Sequence, residues 1–108
     1  MTVYALAQLR FTDRAAYDRY QSRFMGVLKK FSGQLLVADE TPKVLEGEWR
    51  YDKLVVLSFP DVASFEAWSQ SADYQAILID RKAGATADVI LARGIHDKDR
   101  ADMRSTSA

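Results

Sequence analysis

The sequence predicts a single α+β domain in which one antiparallel sheet carries helices on one face only. Three observations predict it. Apolar residues alternate along residues 2–11, a nearly continuous apolar run occupies Lys53–Phe59, and two other regions repeat apolar residues at steps of three and four. A chain of 108 residues has room for one hydrophobic core but not for two. We therefore expect one small domain of strands and amphipathic helices.

The composition is that of a globular protein, and it excludes several classes of function. Hydrophobic residues make up 48% and charged residues 28% of the chain, with a formal net charge of zero. A neutral chain lacks the basic footprint of a nucleic-acid binder. No apolar run approaches the roughly 18 residues of a membrane span. The sequence also has no cysteine, which rules out disulfides and thiolate sites and suits a reducing, cytoplasmic location.

The first strand and the first helix are predicted from two different spacings of apolar residues. Alternation places five apolar residues on the strand face that should pack under helices, and these are Val3, Ala5, Ala7, Leu9 and Phe11. Either Thr12 or Asp13 can cap the helix that follows. The helix shows steps of three and four from Tyr17 onward, and Gly33 is a suitable C-terminal residue because it has no Cβ.

The central part of the chain predicts two further strands. Gln34–Asp39 and residues 43–45 form one strand interrupted near Pro42, because proline cannot donate a hydrogen bond to a ladder. Lys53–Phe59 is the strongest strand, and its apolarity predicts that both of its faces are covered.

The last third predicts a divided helical region and a final strand. Asp61 and Ser71 are candidate caps of two helical segments, the second of which extends to Arg81 and Lys82. The expected buried stripe of the first segment is Val62, Phe65 and Trp68. The final strand spans residues 87–93 and ends at Gly94.

The resulting order, β-α-β-β-α-β, is the split βαβ arrangement of ferredoxin-like domains, with a four-stranded antiparallel sheet and helices on one face. The second face would then expose a large apolar patch made by Tyr4, Leu6, Leu54, Val56 and Ile90. Monomers rarely expose such a patch, so we predict a homodimer. The domain is expected to occupy residues 1–94, followed by a polar, frayed tail over residues 95–108.

Polar residues on otherwise apolar strands predict a pocket between the sheet and the loops. Gln8, Arg10 and Ser58 would line it, and Trp49 and Tyr51, in the turn before the third strand, would close it. An arginine there would favour a carboxylate, a phenolate or an enolate. There are two alternatives. Arg10 can reach solvent or pair with a nearby carboxylate, and Trp49 and Tyr51 can anchor the dimer.

Cofactor and metal sites have no support in the sequence. His96 is the only histidine and lies beyond the last strand, without neighbouring ligands at a suitable spacing. No glycine-rich phosphate loop is present in the sequence. We therefore predict that the protein works with neither a metal nor an organic cofactor.

The run LEGEWRYDKLVVLSFPDVASFEAWSQSADYQAI resembles the family called domain of unknown function 1330. The likeness covers roughly residues 2–94 and includes the upstream DRAAY and the final Arg-Gly. Its most specific residues are Gly47, Trp49, Phe59, Pro60, Trp68, Ser71, Tyr74 and Gln75. The resemblance implies a ferredoxin-like dimer of the dimeric α/β-barrel class. It also adds Tyr74 and Arg81 to the ligand-binding candidates. The alternatives are that Tyr74 belongs to the core and that Arg81 forms a salt bridge that fixes its helix to the partner subunit.

Two functions remain open from the sequence. The first is a small-molecule binder or cofactor-independent enzyme that acts on a small anionic or aromatic substrate. The second is a noncatalytic homodimeric accessory or sensing module whose interior is filled by side chains. A cavity of several hundred Å³ would favour the first function, and a filled interior would favour the second.

Overall fold

The computed structural model describes residues 1–95 and confirms the predicted order of elements. The elements are β1 (Val3–Phe11), α1 (Arg14–Leu28), β2 (Gln34–Asp39), β3 (Lys53–Phe59), α2 (Val62–Ser69), α3 (Ala72–Gly84) and β4 (Ala85–Arg93). The predicted tail beyond Ile95, with His96, lies outside the described residues.

The four strands form one antiparallel sheet in the order β2-β3-β1-β4. The two long strands β1 and β4 pair along their whole length, and β3 pairs with β1 on its other side. Ala7 lies opposite Val55 on β3 and opposite Val89 on β4, which fixes the register across the centre of the sheet. This is the predicted α+β, ferredoxin-like architecture.

The sheet has two unlike faces because side chains alternate along each strand. We call the face of Val3, Ala5, Ala7 and Leu9 the covered face, because these residues belong to or pack against the core shared with the helices. We call the face of Tyr4, Leu6, Gln8 and Arg10 the open face, since these side chains are exposed or half-buried. Leu54, Val56 and Ile90 join it through the register. The predicted division of the sheet is confirmed.

Side-chain caps begin all three helices where the sequence predicts them. Asp13 accepts hydrogen bonds from the amides of Ala15 and Ala16 at the start of α1. The side chains of Asp61 and Ser71 accept hydrogen bonds from amides in the first turns of α2 and α3. Each cap satisfies an amide that has no partner within its own helix.

Four details of the prediction are wrong. The helix α1 ends at Leu28 rather than Gly33, and a Cβ on Gly33 would lie 2.6 Å from both Leu28 and Phe59, so close packing explains this glycine. Residues 43–45 form no strand. Asp39 instead accepts a hydrogen bond from the Thr41 amide, which turns the chain just before a proline that cannot donate.

The remaining two errors concern the last helices. Val62 is 42% exposed, because the first turn of α2 directs it to solvent rather than into the core. The strand β4 begins at Ala85, two residues earlier than predicted. The helix α3 continues to Gly84, where a Cβ would lie 2.3 Å from the Tyr17 amide nitrogen, so only a glycine permits this approach of α3 to α1.

Candidate functional site

A cavity of about 360 Å³ lies between the helices and the covered face of the sheet. Small side chains on the strands make room for it. Ala5 and Ala7 on β1, Ala38 on β2 and Ala87 on β4 all line the cavity. Larger residues at these positions would fill the space beneath the helices, so the sequence pattern of the strands creates the cavity.

An aromatic series forms much of the wall on the helix side. We define it as Trp68, Tyr74, Tyr20 and Tyr17, all of which line the cavity. The ring centroids of Trp68 and Tyr74 are 4.1 Å apart, those of Tyr74 and Tyr20 6.3 Å, and those of Tyr20 and Tyr17 5.8 Å. Rings in this arrangement offer faces and edges to a planar ligand.

Lys53 brings a positive charge into the cavity beside Tyr17. The lysine is only 5% exposed, because its register partner Leu9 places it on the covered face. Its ammonium donates to the side-chain oxygen of Gln21 and lies 5.0 Å from the centre of the Tyr17 ring. Burial lowers the pKa of Lys53, since a low-dielectric environment disfavours the charged form.

Arg81 contributes a second positive charge from α3. Its guanidinium is close enough to three tyrosines of the aromatic series to oppose the rise of their pKa values. The Nη1 atom of Arg81 is buried and has no hydrogen-bond acceptor among residues 1–95. Lys82 also lines the cavity. No salt bridge from Arg81 is formed within residues 1–95, and the predicted alternative, a salt bridge to the partner subunit, stays a prediction.

No aspartate, glutamate or histidine of residues 1–95 lines the cavity. The nearby carboxylate of Glu40 is already held by Arg14, with N–O distances of 2.6 and 2.9 Å. This pairing lowers the pKa of Glu40, so it stays ionised and bound to Arg14. The positive charges of the cavity therefore have no acidic partner in its wall.

The tyrosines of the series carry their protons at neutral pH. Burial raises the pKa of Tyr17 to about 12. Burial also raises the pKa values of Tyr20 and Tyr74, whose hydroxyl oxygens lie 3.2 Å apart in a hydrogen bond. Neutral phenols can donate a hydrogen bond to an oxygen anion without adding a negative charge.

The structure divides the seven predicted site residues between two places. Tyr74 and Arg81 line the cavity, whereas the other five lie outside it. Gln8, Arg10 and Ser58 lie on the open face, because they occupy the alternate positions of β1 and β3. The structure thus does not bring all seven candidates into one pocket.

Three of the remaining candidates do come together, on the open face. The Arg10 guanidinium lies 5.3 Å from the centre of the Tyr51 ring, and the Tyr51 hydroxyl donates to Asp88 at 2.6 Å. The rings of Trp49 and Tyr51 are 5.2 Å apart. Gln8 is the register partner of Asp88, so it belongs to the same end of this face.

Ser58 lies at the other end of the open face. It is the register partner of Tyr4, whereas Gln8 pairs with Leu54. The two pairs are four positions apart on β3, which corresponds to about 13 Å along a strand. The contacts of Trp49 and Tyr51 within the chain are with each other, with Arg10 and with Asp88 of β4, and their predicted role as dimer anchors stays a prediction.

Sequence reasoning missed the residues that give the cavity its charge and shape. It places Lys53 at a strand end and Tyr17, Tyr20 and Trp68 in the core. The overlooked signal is the phase of Lys53, which shares alternate positions with Val55, Leu57 and Phe59 and so must face the core. A charged residue in such a position is rarely buried without a function or a partner.

The described residues provide no metal site and no membrane segment. Within residues 1–95, no three histidine, aspartate or glutamate side chains come together in a way that would hold a metal ion. No helix in that part of the chain has both the length and the apolarity to cross a membrane.

A sequence comparison with protein families matches residues 2–95 to the family described as Domain of unknown function (DUF1330). A comparison with curated proteins finds no match. The structure is similar to that of a protein of unknown function from Rhodopseudomonas palustris, at 18% identity and a TM-score of 0.75. That similarity covers 88% of this chain and 83% of the other.

Two further structures extend the comparison. A protein from Jannaschia sp. CCS1, described as a dimeric ferredoxin-like protein of unknown function, has 16% identity and a TM-score of 0.67, with 87% of this chain and 100% of that chain covered. SnoaB from Streptomyces nogalater, described as a cofactor-independent oxygenase, has 10% identity and a TM-score of 0.64, with 88% and 94% covered. At these identities the similarity establishes the ferredoxin-like fold.

Proposed function

This chain belongs to the family described as Domain of unknown function (DUF1330), and we propose that it binds a small, planar organic anion in the cavity between its helices and its sheet. One observation carries the proposal. Lys53 and Arg81 line the cavity, and no aspartate or glutamate of residues 1–95 lines it. Buried positive charges are costly unless an anion pairs with them. A ligand with a carboxylate, phenolate or enolate would supply that anion.

The size and lining of the cavity support a small aromatic ligand. Its volume of about 360 Å³ falls within the usual range of small-molecule sites, roughly 300–1,000 Å³. The aromatic series lines the cavity on the helix side, and the alanines of the strands line it on the sheet side. The same cavity argues against the alternative of an accessory module with a filled interior.

We propose further that the protein is an enzyme that acts on this ligand without a cofactor. SnoaB, which shares the fold, is described as a cofactor-independent oxygenase. In this chain, the ammonium of Lys53, the guanidinium of Arg81 and the phenol of Tyr74 are groups that can stabilise a phenolate or enolate as its negative charge develops. Such an anion is the reactive species that these residues would favour.

A homodimer joined through the open face completes the proposal. Ile90 is 62% exposed and Leu6, Leu54 and Val56 are half-buried, so the face presents a continuous apolar surface. The similar protein from Jannaschia is described as dimeric. We also retain the cytoplasmic location, which suits a sequence without cysteine.

The test uses isothermal titration calorimetry to compare two ligands of similar shape and opposite charge. We expect 2-naphthoate to bind and 2-naphthylmethylammonium not to bind. Arg81→Met should weaken naphthoate binding by about tenfold or more, since hydrogen bonds to charged groups contribute strongly. Arg23→Met, which removes an exposed arginine from α1, is the matched control and should bind like the wild type. Equal binding of the two ligands would refute the proposed anion site.

A further inference from the structure

The hydroxyl groups of Tyr20 and Tyr74 form a hydrogen-bonded pair between two helices. Tyr20 belongs to α1 and Tyr74 to α3, their hydroxyl oxygens lie 3.2 Å apart, and both residues line the cavity. Only one proton can lie between the two oxygens, so one of the two hydroxyls keeps an O–H that the pair does not use. Neither hydroxyl makes another hydrogen bond within residues 1–95.

Burial indicates which hydroxyl is the donor of the pair. Tyr20 is 8% exposed, whereas Tyr74 is half-buried. If Tyr74 donated to Tyr20, the O–H of the more buried residue would be left without an acceptor, which is the costlier arrangement. Tyr20 is therefore the donor, and the unused O–H belongs to Tyr74.

The pKa values of the two phenols agree with this direction. Burial is the main cause that raises the pKa of each. The hydrogen bond between them adds to the rise at Tyr20 and opposes it at Tyr74. A donated proton stabilises the phenolate form of the acceptor, so the pair behaves as one in which Tyr74 accepts.

Arg81 lies on the same face of α3 as Tyr74. The two residues are seven positions apart, about two helical turns, and both line the cavity. Long side chains on a helix lean toward its N-terminus, so Arg81 extends back toward Tyr74. An anion that pairs with Arg81 is thus well placed to accept a hydrogen bond from Tyr74 as well.

We propose that Tyr74 donates a hydrogen bond to the oxygen of the bound anion and that Tyr20 is the positioning residue for this donor. Tyr20 acts without contact to that oxygen. Its own O–H donates to the Tyr74 oxygen, which directs the Tyr74 O–H to the ligand and polarises it, since linked hydrogen bonds strengthen one another. This inference rests on the proposed function and adds to it a residue that sets the strength of anion binding.

The test is a double-mutant cycle on the affinity for 2-naphthoate, measured by calorimetry at neutral pH. Tyr74→Phe should weaken binding by about tenfold, the contribution of one hydrogen bond to a charged group. Tyr20→Phe should weaken it by about threefold, because the bond from Tyr74 remains but is no longer directed or polarised. When Tyr74 is already phenylalanine, Tyr20→Phe should have no further effect, since the group through which Tyr20 acts is absent.

Naphthalene, which has no acceptor, distinguishes positioning from a change in cavity shape. Its affinity, followed by its fluorescence, should be the same in the wild type, both single variants and the double variant. Tyr4→Phe removes a phenol from the open face and should bind both ligands like the wild type. A loss of naphthalene affinity in Tyr20→Phe equal to the loss of naphthoate affinity would assign Tyr20 to the shape of the cavity and overturn the inference.

Nuclear magnetic resonance gives a second measurement in the wild-type protein. Addition of 2-naphthoate should move the hydroxyl proton signals of both Tyr20 and Tyr74 downfield, because the new bond from Tyr74 also strengthens the bond that it accepts. Naphthalene should leave this downfield shift absent. Movement of the Tyr20 signal alone would show that Tyr20 itself donates to the ligand and would overturn the inference.

The outcomes separate this inference from the proposed function. If 2-naphthoate binds the wild type and Tyr20→Phe has the same effect with and without the Tyr74 hydroxyl, the positioning role is wrong and the anion site stands. If 2-naphthoate does not bind the wild type, the anion site itself is refuted, and the inference fails with it.

Discussion

The ammonium of Lys53 lies 5.0 Å from the centre of the Tyr17 ring, and both residues are buried. The two residues come from different layers, since β3 carries the lysine and α1 carries the tyrosine. A cation over an aromatic face is a favourable contact, and it gains strength when water is excluded. Because no acidic side chain of residues 1–95 joins the lining, this pair marks the end of the cavity where an anion should bind.

Lys53→Met should separate ligand binding from stability. Removing a buried charge that has no ionic partner should leave the free energy of unfolding unchanged or raise it by about 1 kcal/mol, because the methionine side chain fills similar space without a desolvation penalty. Affinity for 2-naphthoate should fall by about tenfold or more. Urea denaturation and calorimetry measure the two quantities, with Lys43→Met, an exposed loop lysine, as the control. A large loss of stability with unchanged affinity would assign Lys53 to the scaffold.

Tyr17→Phe should flatten the loss of stability at alkaline pH. Burial raises the pKa of Tyr17 to about 12, compared with 10.0 for an ordinary tyrosine. Between these values the unfolded chain releases the proton and the folded chain keeps it. Stability therefore falls as pH rises from 10 to 12, by up to about 1.4 kcal/mol per pH unit from this group. Urea denaturation at about pH 9 and about pH 11, on either side of the ordinary tyrosine pKa, measures the slope. Identical slopes for wild type and variant would contradict the burial of this hydroxyl.

Gly84→Ala should destabilise the fold and disturb the cavity. A Cβ at this position would lie 2.3 Å from the Tyr17 amide nitrogen and 2.8 Å from its Cα, so the backbones of α3 and α1 would have to separate. We expect a loss of about 2–4 kcal/mol, typical of severe overpacking. Gly26→Ala is the matched control, because no atom lies within 4 Å of the place on α1 that its new methyl group would occupy. That substitution should stabilise the protein by about 0.5–1 kcal/mol, and thermal unfolding distinguishes the two.

Ile90→Glu should convert the proposed homodimer to a monomer. Ile90 is 62% exposed on the open face, on the edge strand β4 beside Leu6, and in the proposed dimer a carboxylate there would be buried against the apolar surface of a second subunit. Ile79→Glu provides the control, since Ile79 is 72% exposed on α3, away from the open face. Sedimentation equilibrium should give a dimer for the wild type and the control. A dimer that survives in Ile90→Glu would place the interface elsewhere.

The fold was predictable because its signals are local. Alternation along β1, the caps at Asp61 and Ser71, and the apolar run of β3 each depend on neighbouring residues, and all are confirmed. The errors arose at residues whose role is set by contacts with residues that are distant in the sequence. Gly33 packs against Phe59 rather than ending a helix, and Gly84 is required by Tyr17.

The candidate site was less predictable because it depends on which face of the sheet each side chain joins. Polar residues on the open face, such as Gln8 and Arg10, stand out against apolar neighbours, and this contrast is the reason that the predicted pocket includes them. The cavity instead lies on the covered face, where the strand alanines resemble ordinary core residues. In the sequence, only the position of Lys53 among the alternating core residues of β3 indicated that face. The ring contacts of the aromatic series form only when α1 and α3 pack together.

The most direct test of the anion site follows both tryptophan indole N–H signals by nuclear magnetic resonance while 2-naphthoate is added. Trp68 lines the cavity, and Trp49 packs with Tyr51 near the open face, so each signal reports on one of the two places. The cavity account predicts that the Trp68 signal moves and saturates while the Trp49 signal stays in place. Movement of the Trp49 signal alone would contradict it and would return the site to the open face.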